Sequence, residues 1–213
     1  MSHRDTLPRA WVRQPSGRRL DLLSPTPFDW EDKDLALGCA RTYRWGGHST
    51  WARPLSVAQH SLLVLELSVQ AASSPLSKEA CLRELLHDAE EGLIGFDPIS
   101  PLKPILGPVF EDMMHRLTQS IFTRYGVTWW SPEEKKAHKE ADWLAAASEA
   151  VHVAGWTQEE VHSVLGIKIK ALEDDPLCQI YGGRPWEPWP ATIASARFLE
   201  ALTSLTETER SSQ

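Results

Sequence analysis

Apolar residues recur at helical spacing in nearly every long segment of this 213-residue chain, and strand-like alternation is almost absent. A chain patterned this way buries its apolar stripes only by packing helix on helix, so the expected fold class is all-α. Pro and Gly mark the breaks. They leave helices expected over about 31–41, 55–72, 77–90, 110–126, 132–154, 157–165 and 191–205, after an irregular Pro-rich entry at 8–30 with room for a short hairpin. Ser131, Pro132 and Glu134 have the spacing of a capping box with Pro in the first turn. No linker interrupts the pattern, so residues 1–213 are expected to form one domain.

Charged residues make up 24% of the chain and the hydrophobic set 42%, an ordinary globular balance that argues against disorder. The formal charge of −7 disfavours binding to duplex nucleic acid, which needs a dense basic face. A small phosphorylated ligand is still compatible, because a pocket needs only two or three well-placed cations. The most apolar stretch, "HSLLVLELSVQAA", is interrupted by Glu66 and too short to span a bilayer, so no membrane partner is expected. "MSHRDTLPRAWVRQ" has no apolar run behind its charges, which points to a cytoplasmic protein without a secretory signal. Cys39, Cys81 and Cys178 are odd in number and form no C-x-x-C, in keeping with a reduced compartment.

The ordinary pattern stops at "LLHDAEE", residues 85–91. His87 and Asp88 would lie about 100° apart on a continuing helix, close enough to converge on one point, and a metal ion is such a point. Two ligands hold a divalent ion poorly, so more must come from other helices. His60, in a largely apolar helix, and Asp142, in the Ala-rich "HKEADWLAAASEA", sit where a solvated residue is not expected. Each alone is weak: a histidine on an apolar helix is more often bonded to a backbone carbonyl than to a metal. The order His, His-Asp, Asp, on three separate helices, is much more specific. Glu91, four residues past His87, can reach the same point as a general base, whereas Glu90 reads as a solvated helix-end carboxylate. Lys139 shares a helix face with Asp142 and can face a bound phosphate, and His138 on that face is left out of the ligand set.

This order resembles the HD-domain family of metal-dependent phosphohydrolases, with the match carried by residues about 30–155 and by "ARTYRWGGHS", "SVAQHSLLV", "LLHDAEE" with "ISPLK" after it, and "HKEADW". Within that family the chain is most similar to small bacterial and phage enzymes acting on deoxynucleotides, the 5′-deoxynucleotidases and deoxynucleoside triphosphate hydrolases. The resemblance implies an HD-type helical bundle in which His60, His87, Asp88 and Asp142 ligate a divalent transition metal. Mn, Fe, Co, Ni or Zn all suit such a donor set. It implies catalytic roles for Asp88 and Glu91, with a second ion such as Mg possible at Glu91. Arg44 and Trp45 match an Arg and a Trp that line the nucleotide pocket, and Lys103, matching the Lys that ends the "SPLK" segment, is a further candidate for binding the substrate. One departure stands out: where the family runs Gly-Asp directly, this chain reads "GFDPISPLK", with Phe96 inserted before Asp97, a candidate for the sugar or a second ion. The implied activity is hydrolysis of the 5′-phosphate ester of a deoxyribonucleotide by a homo-oligomer, a dimer or higher. The alternatives are a deoxynucleoside triphosphate phosphohydrolase and a metal- and nucleotide-binding module without turnover.

Overall fold

The computed structural model describes residues 10–207 and is mostly helical, as the patterning predicts. A short antiparallel hairpin opens it, β1 (Trp11–Arg13) against β2 (Arg19–Asp21), with Val12 opposite Leu20. Nine α-helices follow among the described residues: α1 (Asp32–Arg41), α2 (Val57–Ala71), α3 (Lys78–Leu85), α4 (Ala89–Ile94), α5 (Lys103–Tyr125), α6 (Pro132–Glu149), α7 (Gln158–Ser163), α8 (Pro176–Tyr181) and α9 (Ala191–Thr206). The start of the sequence, on which the secretory reading rests, lies largely outside the described residues. No helix among them is long and apolar enough to cross a membrane.

Helix α2 is the centre. Ser56 caps it by accepting from the Gln59 amide, every residue from Val57 to Val64 is buried, and α1, α3, α6, α8 and α9 all pack on it. One apolar core runs from Leu20 and Trp30 through Leu85, Leu86 and Phe122 to Phe198 and Leu202. The capping box of α6 forms as its spacing predicts: the Ser131 side chain accepts from the Glu134 amide and Glu134 accepts from the Ser131 amide. Such a cap contributes about 1 kcal/mol. It fixes where the helix carrying Asp142 begins.

Helix α4 lies unusually close to α1 because two glycines face each other. A Cβ on Gly38 would run into the Gly92 carbonyl, and one on Gly92 would meet the Cys39 sulfur and sit 2.6 Å from the Cys39 backbone nitrogen. Without side chains at these points, α4 and its acidic residues are drawn onto the core.

The chain departs from the sequence expectation in three places. The helix expected over 77–90 is broken: Leu86 (φ −101°, ψ 7°) ends α3 and Asp88 (φ −117°, ψ 21°) starts α4. His87 and Asp88 therefore project from a sharp turn, not from successive positions of one helix. Helix α5 starts before residue 110 and kinks at Gly107 (φ 76°), because Pro108 has no amide to continue the ladder. Helix α8 was not anticipated; Asp175 caps it by accepting from Leu177, with Pro176 in its first turn.

Candidate metal centre

Three elements meet at one point: α2 brings His60, the break between α3 and α4 brings His87 and Asp88, and α6 brings Asp142. His60 Nε2 and His87 Nε2 lie 3.2 Å apart, and Asp88 Oδ2 is 3.6 Å from the first and 3.3 Å from the second. One ligand atom from each of these three residues falls within 4.8 Å of the other two, a group able to hold a metal ion. Asp142 Oδ1 lies 3.4 Å from His60 Nε2 and stands outside that group of three.

The second nitrogen of each ring is already committed. His60 Nδ1 is 2.6 Å from Glu149 Oε1, and His87 Nδ1 is 2.8 Å from the Glu84 carbonyl oxygen. Each Nδ1–H donates to its oxygen, which leaves a lone pair on Nε2 pointing at the shared centre. The two Nε2 atoms, 3.2 Å apart, can share either a proton or a metal ion, and the donor set fits a cation.

The charge states around the centre divide sharply. Burial opposes protonation of His87, but the Asp88 and Asp142 carboxylates outweigh it and raise its pKa to about 9. His60 is also raised: burial and Arg44 push it down, and Glu149 and Asp142 more than compensate. Asp88 and Asp142 are held below the usual carboxylate range despite burial, because both rings and, for Asp88, Arg44 face them. Glu91 goes the other way. Burial and the neighbouring Asp88 and Asp97 charges lift it well above the ordinary value.

The remaining sequence candidates gather around this point. Arg44 reaches Asp88 (3.6 Å), Asp97 (3.7 Å) and Glu149 (3.4 Å) with one guanidinium. Trp45 donates from Nε1 to Glu149 at 3.2 Å. Lys103 Nζ lies 3.3 Å from Glu91 Oε1, and Lys139 Nζ lies 3.2 Å from Asp142 Oδ2 with half its side chain exposed. Asp97 is brought in despite the inserted Phe96, which bulges outward and packs edge-on against Phe110. Glu90 is a correction: it is not a solvated carboxylate. Its Oε2 is buried without a partner, and burial raises its pKa to about 8.

Sequence reasoning missed the layer behind the ligands. Glu149 is buried two helical turns past Asp142 on the same helix, and that spacing within a run of small residues was the available signal. Glu84 supplies its backbone oxygen to His87, while its carboxylate accepts from His138 (2.7 Å), Trp130 (2.8 Å) and Ser68 (3.1 Å). His138 thus stands behind His87, with ring centroids 5.0 Å apart. A cavity of about 830 Å³ between α2, α6 and residues 165–169 lies elsewhere; its walls are mostly apolar. Ligating chemistry, not cavity size, marks the site.

A ligating histidine must shed its proton, so the raised His87 pKa sets the pH response of metal binding. Below about pH 9 the ion competes with a proton. The affinity for Mn²⁺ should rise with pH by up to roughly tenfold per unit for each proton displaced, levelling off above pH 9. Calorimetry at pH 7 in two buffers of different ionisation heat should report about one proton released per ion or more. A pH-independent affinity without proton release would remove His87 from the ligand set.

No family model matches the chain. It is 42% identical over 159 residues, covering 74% of its own length and 80% of the relative's, to the uncharacterized protein RCAP_rcc00048 of Rhodobacter capsulatus. At that identity, over most of both chains, it belongs to the same family as the Rhodobacter capsulatus protein.

Proposed function

We propose that the protein is a metal-dependent phosphohydrolase of the HD-domain kind, cleaving the 5′-phosphate ester of a deoxyribonucleotide to phosphate and deoxynucleoside. The observation that carries this reading is the pair of Nε2 atoms aimed at one point, each fixed by an oxygen on its Nδ1, with Asp88 and Asp142 beside them. Asp142 completes the ligand set in this reading. A bound divalent ion supplies a Lewis acid and an acidified water. The protein's own groups do the rest. Arg44 turns from Asp88 and Asp97 to the phosphate oxygens, with Lys103 and Lys139 as further cations. Glu91, made a stronger base by burial and by the neighbouring Asp88 and Asp97 charges, takes the proton of the attacking water. The water oxygen bonds to phosphorus, the bond to the 5′-oxygen breaks, and that oxygen takes a proton from solvent. Trp45 stacks on the base, and Asp97 accepts from the 3′-hydroxyl.

A 2′-hydroxyl would meet no partner in such a pocket. An unpaired buried hydroxyl costs about 1–3 kcal/mol, which corresponds to a preference of roughly tenfold to a hundredfold for the deoxy sugar. Matched assays of dAMP against AMP and dATP against ATP, in Mn²⁺, with products resolved as phosphate, pyrophosphate or triphosphate, test this. Equal rates on ribo and deoxy forms would reject the sugar reading. Release of triphosphate from dATP would favour the triphosphate alternative, for which Glu91 and Asp97 are the carboxylates to hold further ions. Binding without any turnover would leave a nucleotide-binding module.

A further inference from the structure

One buried carboxylate touches both halves of the site. Glu149 Oε1 accepts from His60 Nδ1 at 2.6 Å, while Oε2 accepts from Trp45 Nε1 at 3.2 Å and faces Arg44 Nε at 3.4 Å. The Trp45 backbone sits at φ 58°, followed by Gly46 at 63° and Gly47 at 79°, a left-handed run that a tryptophan rarely joins. Something must hold it there, and the indole bond to Glu149, with half-burial against Ala147, Ala150 and Val161, is what the structure offers. We propose that Glu149 is a positioning residue that joins the metal ligand His60 to the Arg44–Trp45 loop, so that ion binding and the setting of the nucleotide-facing loop are one linked event. The assignment of His60 as ligand and of the loop as nucleotide face rests on the proposed function.

The linkage follows from the shared group. An ion at Nε2 fixes the His60 ring, the fixed ring orients the carboxylate, and the oriented carboxylate presents Oε2 to the indole and the guanidinium. By thermodynamic reciprocity, loosening the loop must weaken the ion. Glu149→Gln separates the two halves with little change in shape. With its oxygen toward His60, its amide N–H groups confront the donors of Trp45 and Arg44. With its oxygen toward the loop, its amide donates to His60 Nδ1 and puts the ring proton on Nε2, where the ion belongs.

The test uses full-length protein carrying 5-fluorotryptophan, with the Trp45 fluorine resonance assigned by its absence in Trp45→Phe. Zn²⁺, which is diamagnetic, is the titrant. In the wild type the Trp45 resonance should shift as Zn²⁺ binds. In Glu149→Gln either that shift disappears or Zn²⁺ affinity falls by about tenfold or more, the range for losing an outer partner of a metal-bound histidine. Glu149→Asp should restore part of whichever is lost. Unchanged Zn²⁺ affinity together with an unchanged Trp45 shift in Glu149→Gln overturns the proposal. Should that variant not fold, Trp45→Phe decides alone: it touches no ligand, yet its Zn²⁺ affinity should drop at least twofold, and an unaltered affinity overturns the linkage. A linked Trp45 shift without hydrolysis of any nucleotide would sink the phosphohydrolase reading and leave this inference standing; hydrolysis with an unresponsive Trp45 would do the reverse.

Discussion

Asp88→Ala is expected to lose metal and turnover together while the protein stays folded. Its Oδ2 is the carboxylate oxygen that lies within 3.6 Å of both ring nitrogens, so its removal leaves two imidazoles with no shared anion between them. Losing an outer partner of a ligand costs 10- to 100-fold in affinity; losing this inner carboxylate should cost more, and activity should fall to background. The fold should survive for a specific reason. Asp88 stands at the N-cap of α4 but makes no side-chain cap bond, and Arg44 keeps Asp97 and Glu149 when Asp88 is gone. Removing one acid from a cluster of acids would ordinarily relieve repulsion. The structure reverses that: Arg44, His60 and His87 surround Asp88, so the metal-free variant should melt at or slightly below the wild-type temperature. Calorimetric Mn²⁺ titration, circular dichroism and a turnover assay check the three parts. Wild-type turnover in the variant would end the metal mechanism.

Glu91→Gln should keep the ion and slow turnover by about 10²- to 10⁴-fold, the usual range for a general acid–base group. Glu91 is 1% exposed; one oxygen meets Lys103 and the other has no partner. Its raised pKa and the lowered pKa of Asp88 are the kind of division that separates a proton-transfer group from a permanently ionised one. A buried oxygen without a partner costs stability in the native protein. The amide removes the cost of burying a charge there but loses the Lys103 ion pair, so the melting temperature should change little as activity falls. Loss of the metal along with activity would instead make Glu91 a ligand.

Much of this was legible because helix faces and ligand order are written in residue spacing. The capping box at Ser131 and the meeting of His60, His87 and Asp88, with Asp142 beside His60, are all of that kind. The break at Leu86–Asp88 was not legible, because apolar periodicity reports which face is buried and is silent about a change of direction over two residues. The partners behind the ligands were hidden for a related reason. Glu149, Glu84 and His138 act through pairwise contacts between distant segments, and a buried ion pair looks in sequence like any charged residue. Glu90 misled because an acid beside an acid reads as surface, whereas the close approach of α4 to α1 buries it.

That close approach restricts how the chain can change. When a side chain blocks a new methyl group, trimming the blocker elsewhere can make room. Here the Cys39 sulfur could be trimmed away, but the Gly92 carbonyl and the Cys39 backbone nitrogen, which every amino acid carries, would still block the way. No second substitution on the opposing helix can rescue a larger residue at position 38 or 92. The spacing that seats the acidic turn beside His60 and His87 is thus closed to gradual repair: drift can alter the surface of these helices freely, but at these two positions it has no intermediate step to take.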